Sequence, residues 1–264
     1  MKYIIQHNLI NPKSLQAIKD AITPYPHEFV GVIPFSHEII ADEPLVGVEY
    51  IPYGSTLMID LTKNLGWTGC HFNDDTFTYE AAIANRRDMM NGEFIMTVEE
   101  CVQFMMNGMR SGGDSTEWFI RPSKDLKQFS GQVITAGECR NWLQEAVAVE
   151  SSTTKQLCAD DVVVVATPKP IDAEWRWFVV GGQVIDGSMY RCRGRLQLSH
   201  EDDAAIYHEA QAFADQWLPD ACCVMDIALV EHELKVIEFN CINGSGFYDH
   251  DVTKIFKALW EYHV

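Results

Sequence analysis

Two apolar segments near the C-terminus contain oxygen-bearing side chains. Residues 223–230 and 234–240 are rich in Val, Ile, Leu and Phe, which is typical of buried strands. The three residues between them predict that the two strands form a β-hairpin. Strand alternation places Glu238 and Asn240 on the same face of the second strand. The sequence therefore predicts a hairpin that carries polar side chains in an apolar setting.

The register of this hairpin decides which side chains face each other. Pairing Val230 with Leu234 across a three-residue loop sets Asp226 directly opposite Glu238. Two facing carboxylates destabilise a sheet unless one is protonated or a cation lies between them. Mg²⁺ suits this position, because it takes carboxylate and amide oxygens and usually shares its coordination with substrate phosphates. Asp226, Glu238 and Asn240 are therefore candidate metal ligands, and the alternative is a half-exposed strand pair without a metal.

A second candidate site is the segment 118–131. A predicted strand ends at Arg121-Pro122, and the loop that follows contains Lys124 and Lys127 and closes with Ser130-Gly131. Such a loop offers cations and backbone N–H groups to phosphates. The Gly-x4-Gly-Lys-Ser/Thr order of a P-loop is absent, and a basic surface loop is the alternative.

A third candidate site is the segment 174–191. Two glycines at 181–182 predict a tight hairpin turn, and the register across it places Arg176 opposite Gly187, which leaves room for a long side chain. Glu174, Arg176 and Arg191 then share one face. The opposite face has the composition of a packed core: Trp175, Trp177, Val179, Val184 and Tyr190. Arginines suit phosphate and carboxylate oxygens, although solvated surface ion pairs are the alternative.

Together, these three segments resemble the ATP-grasp superfamily, and within it the clade named for two conserved arginines and one lysine. The resemblance covers roughly residue 118 to the C-terminus, with weaker similarity at 53–55, and members of the clade are often carried by bacteria and phages. It implies that Asp226, Glu238 and Asn240 hold the magnesium ions of Mg-ATP. The superfamily pattern is a strand carboxylate followed by Glu-x-Asn on the next strand, which this chain matches.

The same resemblance implies roles for four basic residues. Arg121 and Lys127 would contact ATP phosphates, with Arg121 standing where many ATP-grasp enzymes have a lysine. Arg176 and Arg191 would face a phosphate or the reacting carboxyl group and act in catalysis. The phosphate contact could therefore be divided differently between Arg121 and Lys127 in this chain.

The resemblance also implies where the rest of the nucleotide and the substrate bind. The strand 162–165 and the residues after it look like the hinge at which adenine inserts, which makes Val165 and Ala166 cofactor-binding candidates. Glu174 is a further cofactor-binding candidate with no assigned contact. The loop 243–248, directly after the ligand strand, would lie beside the reacting end of ATP and could help to select the substrate.

The implied function is an ATP- and Mg²⁺-dependent ligase. A small-molecule or peptide carboxylate would attack the γ-phosphate to give an acyl phosphate, and an amine-type nucleophile would then open it. Amino acids or peptides are the substrates suggested by family analogy. The alternatives are an ATP-dependent phosphotransferase and a non-enzymatic acidic binding protein with a degenerate ATP-grasp fold. A metal-dependent hydrolase is less favoured, because no His-rich cluster accompanies the oxygen ligands.

The expected fold class is α/β (α+β), an ATP-grasp fold of two α+β lobes that grip ATP, preceded by a small N-terminal α/β domain. The N-terminal domain is expected over residues 1–92, where a strand near Tyr3 is followed by a helix opened by Asn11-Pro12. The ATP-grasp domain is expected over 93–264, with lobes at about 93–165 and 166–264.

The composition of the chain restricts which partners and which cellular location are expected. A net charge of -18 over 264 residues argues against general nucleic-acid binding, which needs basic surface. No apolar run reaches the length of a membrane span and the N-terminus is too polar for a secretory signal, so a cytoplasmic protein without membrane contact is expected. The eight cysteines lack paired spacings, which favours reduced thiols, and no zinc pattern is visible.

Overall fold

The N-terminal part of the chain forms a mainly parallel sheet of four strands. The computed structural model describes residues 1–33, 38–42, 44–106, 113–124, 128–148 and 157–264. The first elements are β1 (Lys2–Gln6), α1 (Pro12–Ile22), β2 (His27–Val32), β3 (Ile39–Ile40), β4 (Tyr50–Tyr53), α2 (Leu57–Leu65) and α3 (Tyr79–Asn85). The strand order is β3-β2-β1-β4, with β1 parallel to both neighbours. As the Asn-Pro pair predicts, Asn11 caps α1 by accepting a hydrogen bond from the Ser14 N–H.

The middle of the chain forms an antiparallel sheet covered by two helices. Its elements are β5 (Phe94–Thr97), α4 (Val98–Met106), β6 (Glu117–Pro122), β7 (Gln132–Thr135), α5 (Ala136–Ala148) and β8 (Val162–Ala166), with a short 3₁₀ turn at Gly113–Ser115. The strand order is β5-β8-β6-β7. Cys101 of α4 and Leu143 of α5 pack with Val163 and Val165 in one buried cluster. This second sheet therefore has its own small core.

The last part of the chain forms the largest sheet. Its elements are β9 (Ile171–Val180), β10 (Gln183–Cys192), β11 (Arg195–His200), α6 (Ala204–Gln216), β12 (Cys223–Val230), β13 (Glu233–Asn240) and α7 (Val252–His263). The strands are antiparallel in the order β11-β10-β9-β12-β13. Phe213 of α6 packs with Trp177 on one face, whereas Phe256 of α7 packs with Phe178 on the other.

The C-terminal helix also joins the third sheet to the first. Phe256 belongs to the buried cluster that contains Tyr3 of β1 and Ile18 of α1. The Tyr3 hydroxyl donates a hydrogen bond to the Phe256 carbonyl. The predicted order of an α/β part followed by two α+β parts is therefore observed, while the domain bounds 1–92, 93–165 and 166–264 stay a prediction. Among the described residues, no helix has the length and apolarity needed to cross a bilayer.

The hairpin of β9 and β10 has the predicted turn but a different register. The two glycines at 181–182 have positive φ, and Val180 pairs with Gln183 as predicted. A bulge after Val184 then shifts the ladder by one residue, so that Arg176 pairs with Ser188. The prediction that Arg176 faces Gly187 was wrong, because a bulge adds a residue without leaving a clear sequence signal.

Gly187 instead makes room for Trp177, with which it pairs. A Cβ atom at position 187 would lie 2.2 Å from Cζ3 of the fully buried Trp177 ring. We expect Gly187→Ala to lower the free energy of unfolding by about 3 kcal/mol, at the upper end of typical overpacking costs. Urea denaturation followed by circular dichroism measures this change.

Gly246→Ala is the matched control for this substitution. A Cβ atom there meets no atom within 4 Å, and the φ of Gly246 is not positive. We expect its effect on the free energy of unfolding to stay within about 0.5 kcal/mol. Equal effects of the two alanines would contradict the described packing of Trp177.

Candidate active site

The hairpin that carries the candidate metal ligands turns more tightly than predicted. The turn has two residues, 231–232, both with positive φ, rather than three. Val230 therefore pairs with Glu233, and the predicted pairing of Val230 with Leu234 was wrong. The turn alone would have shifted the opposing carboxylates out of register.

A bulge in β13 restores the predicted pairing of the carboxylates. The ladder changes register between Asp226 and Ile227, because Ile237 is an extra residue on β13. Asp226 therefore lies opposite Glu238, as predicted. The Asn240 side-chain nitrogen lies 3.5 Å from the Asp226 carboxylate. The structure thus brings the three predicted metal ligands together on one face of the hairpin.

Each of the two carboxylates is paired with an arginine. Nε and Nη2 of Arg176 donate to the two oxygens of Asp226 at 2.9 and 2.7 Å. Arg121 forms an ion pair with Glu238. Burial by itself lowers the pKa of Arg176, but the adjacent Asp226 raises it overall, so the guanidinium stays charged. Arginine pairing is a third way to balance these charges, beyond the protonation or bound cation that the sequence analysis considered.

Tyr79 positions Arg121, a role that the sequence pattern does not predict. The Arg121 guanidinium carbon lies 4.9 Å from the centre of the Tyr79 ring, and the buried Tyr79 hydroxyl donates to the Ile237 carbonyl. Burial raises the pKa of Tyr79 to about 12, so the hydroxyl keeps its proton. The sequence around Tyr79 shows a helix start, with Thr78 as the N-cap, but gives no sign of this contact.

The described part of the predicted phosphate loop lines a cavity together with Glu238, one of the candidate metal ligands. The cavity has a volume of about 220 Å³. Its lining comes from the end of β6, from the following loop and from β13: Arg121, Pro122, Lys124, Phe129, Ser130, Gly131 and Glu238. Lys127 lies outside the described residues. The cavity therefore offers cationic side chains opposite carboxylate oxygens, as a site for a metal-bound phosphate requires.

Glu174 organises the polar face of β9. It accepts hydrogen bonds from the Tyr190 hydroxyl at 2.7 Å and from Nη1 of Arg191 at 3.1 Å. Tyr190 stacks on Tyr248 with ring centres 4.8 Å apart, and the Arg176 guanidinium lies 5.0 Å from the Tyr248 ring centre. Glu174, Arg176 and Arg191 thus share a face, as predicted. Arg191 is half-exposed, so its remaining donors can reach a ligand.

Tyr190 was predicted on the opposite, aromatic face, and this prediction was wrong. The bulge after Val184 reverses the side chains that follow it and so turns Tyr190 towards Glu174, and a second bulge between Met189 and Arg191 returns Arg191 to the same face. Burial raises the pKa of Tyr190, which keeps its hydroxyl protonated as a donor to Glu174. The charged face of β9 therefore includes an aromatic platform that strand alternation does not predict.

The predicted hinge connects the second and third sheets. β8 ends at Ala166, which pairs with Phe119, and the side chain of Val165 packs in the core of the second sheet. Only the backbone of Val165 can therefore contact a ligand. Glu93 accepts hydrogen bonds from the N–H and hydroxyl of Thr167 at 3.1 and 2.8 Å. Partial burial raises the pKa of Glu93, but hydrogen bonds from Lys169 and Thr167 lower it overall.

A second cavity, of about 480 Å³, borders this hinge. Its lining combines the hinge, the β12–β13 turn and the segment after α3: Arg87, Met89, Met90, Thr167, Pro168, Lys169, Pro170, Val230, Glu231, Glu233 and Lys235. The Met90 N–H donates to the Val236 carbonyl at 2.8 Å, and Met90 packs against Ala228, Val230 and Ile237. The volume lies in the range of small-molecule pockets. The sequence predicts only a domain boundary near the segment after α3, and not this cavity.

Residues 100–258 match the family described as ATP-grasp domain, R2K clade family 2. No curated protein matches the sequence.

Several solved structures are similar to this chain over nearly its whole length. The D-alanine–D-alanine ligase from Bacillus anthracis has a TM-score of 0.63 at 11% identity, over 100% of this chain and 97% of that one. The RimK domain protein ATP-grasp from Sphaerobacter thermophilus DSM 20745 has a TM-score of 0.62 at 11% identity, over 98% of this chain and 100% of that one. A third structure is the ATP-grasp ligase PsnB complexed with a phosphomimetic variant of minimal precursor, Mg and ADP. It has a TM-score of 0.55 at 12% identity, over 99% of this chain and 97% of that one. The predicted α+β ATP-grasp fold is confirmed.

Proposed function

Because the chain belongs to the R2K clade of the ATP-grasp family, we propose that it is an ATP- and Mg²⁺-dependent carboxylate–amine ligase. One observation carries the proposal: Asp226, Glu238 and Asn240 lie together on β12 and β13, with Arg121 and Arg176 bonded to the two carboxylates. Phosphoryl transfer requires such an arrangement of oxygen ligands and cations.

The donor set fits magnesium. Carboxylate and amide oxygens are the ligands that Mg²⁺ takes from proteins, and Asp226, Glu238 and Asn240 would hold it. When bound, the ion would balance charge on the transferring phosphoryl group. The two carboxylates already contact two guanidinium groups, so the site is close to neutral. A divalent ion can therefore enter together with anionic phosphates without leaving a buried unbalanced charge.

The two cavities suggest how ATP is bound. The cavity beside Arg121 would hold the phosphates, with Lys124 and, by family resemblance, Lys127 as further donors. The larger cavity at the hinge would hold the adenine, next to the end of β8 at Ala166. In this assignment Arg121 binds a phosphate, and Val165 contacts the nucleotide through its backbone only.

The proposed reaction has two steps. A carboxylate oxygen of the substrate attacks the γ-phosphorus, and the bond to the bridging oxygen breaks to release ADP and form an acyl phosphate. The amine nitrogen then attacks the acyl carbon, the carbon–oxygen bond to phosphate breaks, and the amine loses a proton as phosphate leaves. Arg176 and Arg191 would donate hydrogen bonds to the oxygens that gain charge. Glu174 acts as a positioning residue, because its bonds are to Tyr190 and Arg191.

Amino acids or peptides are the proposed substrates. Two of the similar structures are a D-alanine–D-alanine ligase and a ligase complexed with a precursor. The loop 243–248 contacts the N-terminal part, since Asn243 accepts from the Gly54 N–H at 3.0 Å and Tyr53 donates to the Ser245 carbonyl at 2.9 Å. This contact supports a substrate site between the first and third sheets. Dependence on ATP supports a cytoplasmic location.

The first test is calorimetric titration of ATP into the folded protein, with Mg²⁺ and with EDTA. We expect binding that requires Mg²⁺. Pairs of carboxylates and amines are then screened for ADP release, and mass spectrometry identifies the product. An amide supports the ligase, a stable phosphorylated product identifies a phosphotransferase, and the absence of ATP binding identifies a binding protein with a degenerate fold.

Tyr248 gives a prediction for the reacting end of the site. The ring contacts the Arg176 guanidinium, and such contacts contribute about 0.5–2 kcal/mol. We expect Tyr248→Leu to lower kcat of the identified reaction by roughly tenfold. Tyr248→Phe keeps the ring and should retain most of kcat, so the two variants separate the ring from the hydroxyl in steady-state assays. If Tyr248→Leu has the kcat of wild type, Tyr248 has no role in the reaction.

A further inference from the structure

Three potential metal ligands from distant parts of the chain meet near the start of β12. His71 follows α2, whereas Asp220 and Cys222 lie directly before β12. One ligand atom from each residue lies within 4.8 Å of the other two, and His71 Nδ1 is 2.7 Å from the Asp220 carboxylate. Cys222 is fully buried, while the side chains of His71 and Asp220 are 13% and 30% exposed. The cluster is therefore closed on its sulfur side and reachable from solvent on its carboxylate side.

A second histidine fixes the orientation of the His71 ring. Nε2 of His71 lies 3.0 Å from Nε2 of His263, at the end of α7. Nδ1 therefore faces Asp220 and Cys222, while Nε2 can donate its proton to His263. Metal-binding histidines typically donate their second ring N–H to a neighbouring acceptor in this way. The ring thus has the orientation that a metal ligand needs, and a bound metal ion would replace the proton that Nδ1 donates to Asp220.

We propose that Nδ1 of His71, a carboxylate oxygen of Asp220 and Sγ of Cys222 bind one Zn²⁺ ion. Nitrogen, oxygen and sulfur ligands together are typical of zinc, and three protein ligands leave a fourth tetrahedral position for water. The carboxylate and the thiolate balance the charge of the ion. A thiolate disfavours Mg²⁺, so this site differs in selectivity from the oxygen site on β12 and β13.

The simpler interpretation is an ion pair between His71 and Asp220. Asp220 also accepts a hydrogen bond from the Cys222 N–H at 3.0 Å, which is a local turn contact. An ion pair explains the imidazole and the carboxylate, but it does not need a buried thiol beside them or a second histidine behind the ring. The combination of all four groups favours a metal.

The proposed ion would join three parts of the fold. His71 belongs to the N-terminal part, Asp220 and Cys222 precede β12, and His263 ends α7. Cys222 lies four residues before Asp226, which corresponds to roughly 13 Å along an extended strand. Zinc would therefore stabilise the attachment of the first sheet to the strand that carries a proposed magnesium ligand. This role does not depend on the proposed ligase activity.

The test is a titration of the metal-stripped, full-length protein with Co²⁺, a spectroscopic substitute for Zn²⁺, without nucleotide. We expect one ion per chain, a thiolate-to-cobalt charge-transfer band in the near ultraviolet, and displacement of Co²⁺ by Zn²⁺ but not by excess Mg²⁺. Competition with a chromophoric chelator should give a micromolar or tighter Kd for Zn²⁺. A wild-type protein without the charge-transfer band overturns the proposal.

Two variants assign the ligands. Cys222→Ser should abolish the charge-transfer band, whereas Cys158→Ser, which changes an exposed thiol, should retain it. Because Cys222 is buried and its variant could fail to fold, Asp220→Asn is the second test. We expect it to keep the far-ultraviolet circular dichroism of wild type and to bind Zn²⁺ at least 10-fold more weakly, by analogy with the loss of a ligand contact. Wild-type affinity in Asp220→Asn overturns the proposed site.

The neighbouring thiols provide a rival ligand set. Cys241 Sγ contacts the His71 carbonyl at 3.4 Å, and Cys70 precedes His71 in the chain. Cys70→Ser should keep the charge-transfer band if the proposed ligands are correct. A band that is lost in Cys70→Ser and kept in Cys222→Ser would assign the ion to Cys70 and reject the proposal. Zn²⁺ should also raise the Tm of wild type and leave that of Asp220→Asn nearly unchanged.

Discussion

Asp226→Ala is expected to lower the free energy of unfolding by about 3–5 kcal/mol, as is typical when one partner of a buried ion pair is removed. Arg176 and Asp226 are 9% and 1% exposed and share two hydrogen bonds. The substitution leaves the Arg176 guanidinium buried without its carboxylate partner. The guanidinium cannot avoid this cost by losing its proton. Urea denaturation in EDTA, without nucleotide, measures the effect on the protein alone.

An exposed ion pair and a double substitution serve as controls. Lys63 and Asp74 form a pair whose side chains are 40% and 58% exposed, so Asp74→Ala should cost less than about 1 kcal/mol. Arg176→Met combined with Asp226→Leu removes both charges and should recover most of the lost stability. The double variant should still fail to bind Mg-ATP. A loss in Asp226→Ala as small as that in Asp74→Ala would contradict the buried pairing.

Glu238→Gln is expected to weaken Mg²⁺-dependent ATP binding by about 100-fold or more, because even the loss of a hydrogen-bond partner of a metal ligand typically costs about 10–100-fold. The amide keeps the shape of the side chain and removes the charge that would neutralise the ion. Arg121 remains next to the Tyr79 ring, so the fold should be retained. Circular dichroism first shows whether the variant is folded. Calorimetric titration of ATP, with Mg²⁺ and with EDTA, then measures the metal-dependent binding.

Glu261→Gln is the matched control for Glu238→Gln. Glu261 lies on α7, is exposed, and pairs with Lys257. It carries the same charge, but it lines neither of the two cavities and is not a proposed ligand. ATP affinity should therefore be unchanged in Glu261→Gln. If Glu238→Gln also binds ATP as wild type does, the proposed magnesium site is wrong.

The pairing of Asp226 with Glu238 shows how far local patterns determine this fold. The residue pattern predicts a three-residue loop and a regular ladder, whereas the structure has a two-residue turn and a bulge at Ile237. The two differences cancel, so the carboxylates meet as predicted. Turn length and bulges depend on small differences in backbone energy and on packing across the sheet, and residue types along one strand do not specify them.

The two bulges of β10 cancel for Arg191 but not for the residues between them. The first pairs Arg176 with Ser188 rather than Gly187 and brings Tyr190 to the polar face beside Glu174, and the second returns Arg191 to that face. Alternation correctly predicts which charged side chains share this face. It does not predict the aromatic ring that lies among them, because one extra residue reverses the direction of every side chain beyond it.

The sequence by itself determined the features that local chemistry controls. These are the Asn11 cap of α1, the glycine turn at 181–182, and the order and spacing of Asp226, Glu238 and Asn240. Each depends on residues within a turn or a hairpin, where backbone preference and strand alternation act directly. The spacing of these three residues, together with the segments 118–131 and 174–191, indicated the ATP-grasp fold and the proposed oxygen ligands.

Only the tertiary structure decided which groups balance those ligands. Arg121 comes from the second sheet and Tyr79 from the N-terminal part, and both meet Glu238 and its strand through the packing of separate sheets. His71 and Cys222 likewise meet across a long sequence separation, without any spacing that predicts zinc. Contacts of this kind depend on how complete layers pack, because that packing brings distant side chains into a shared, partly buried space where their charges must be paired.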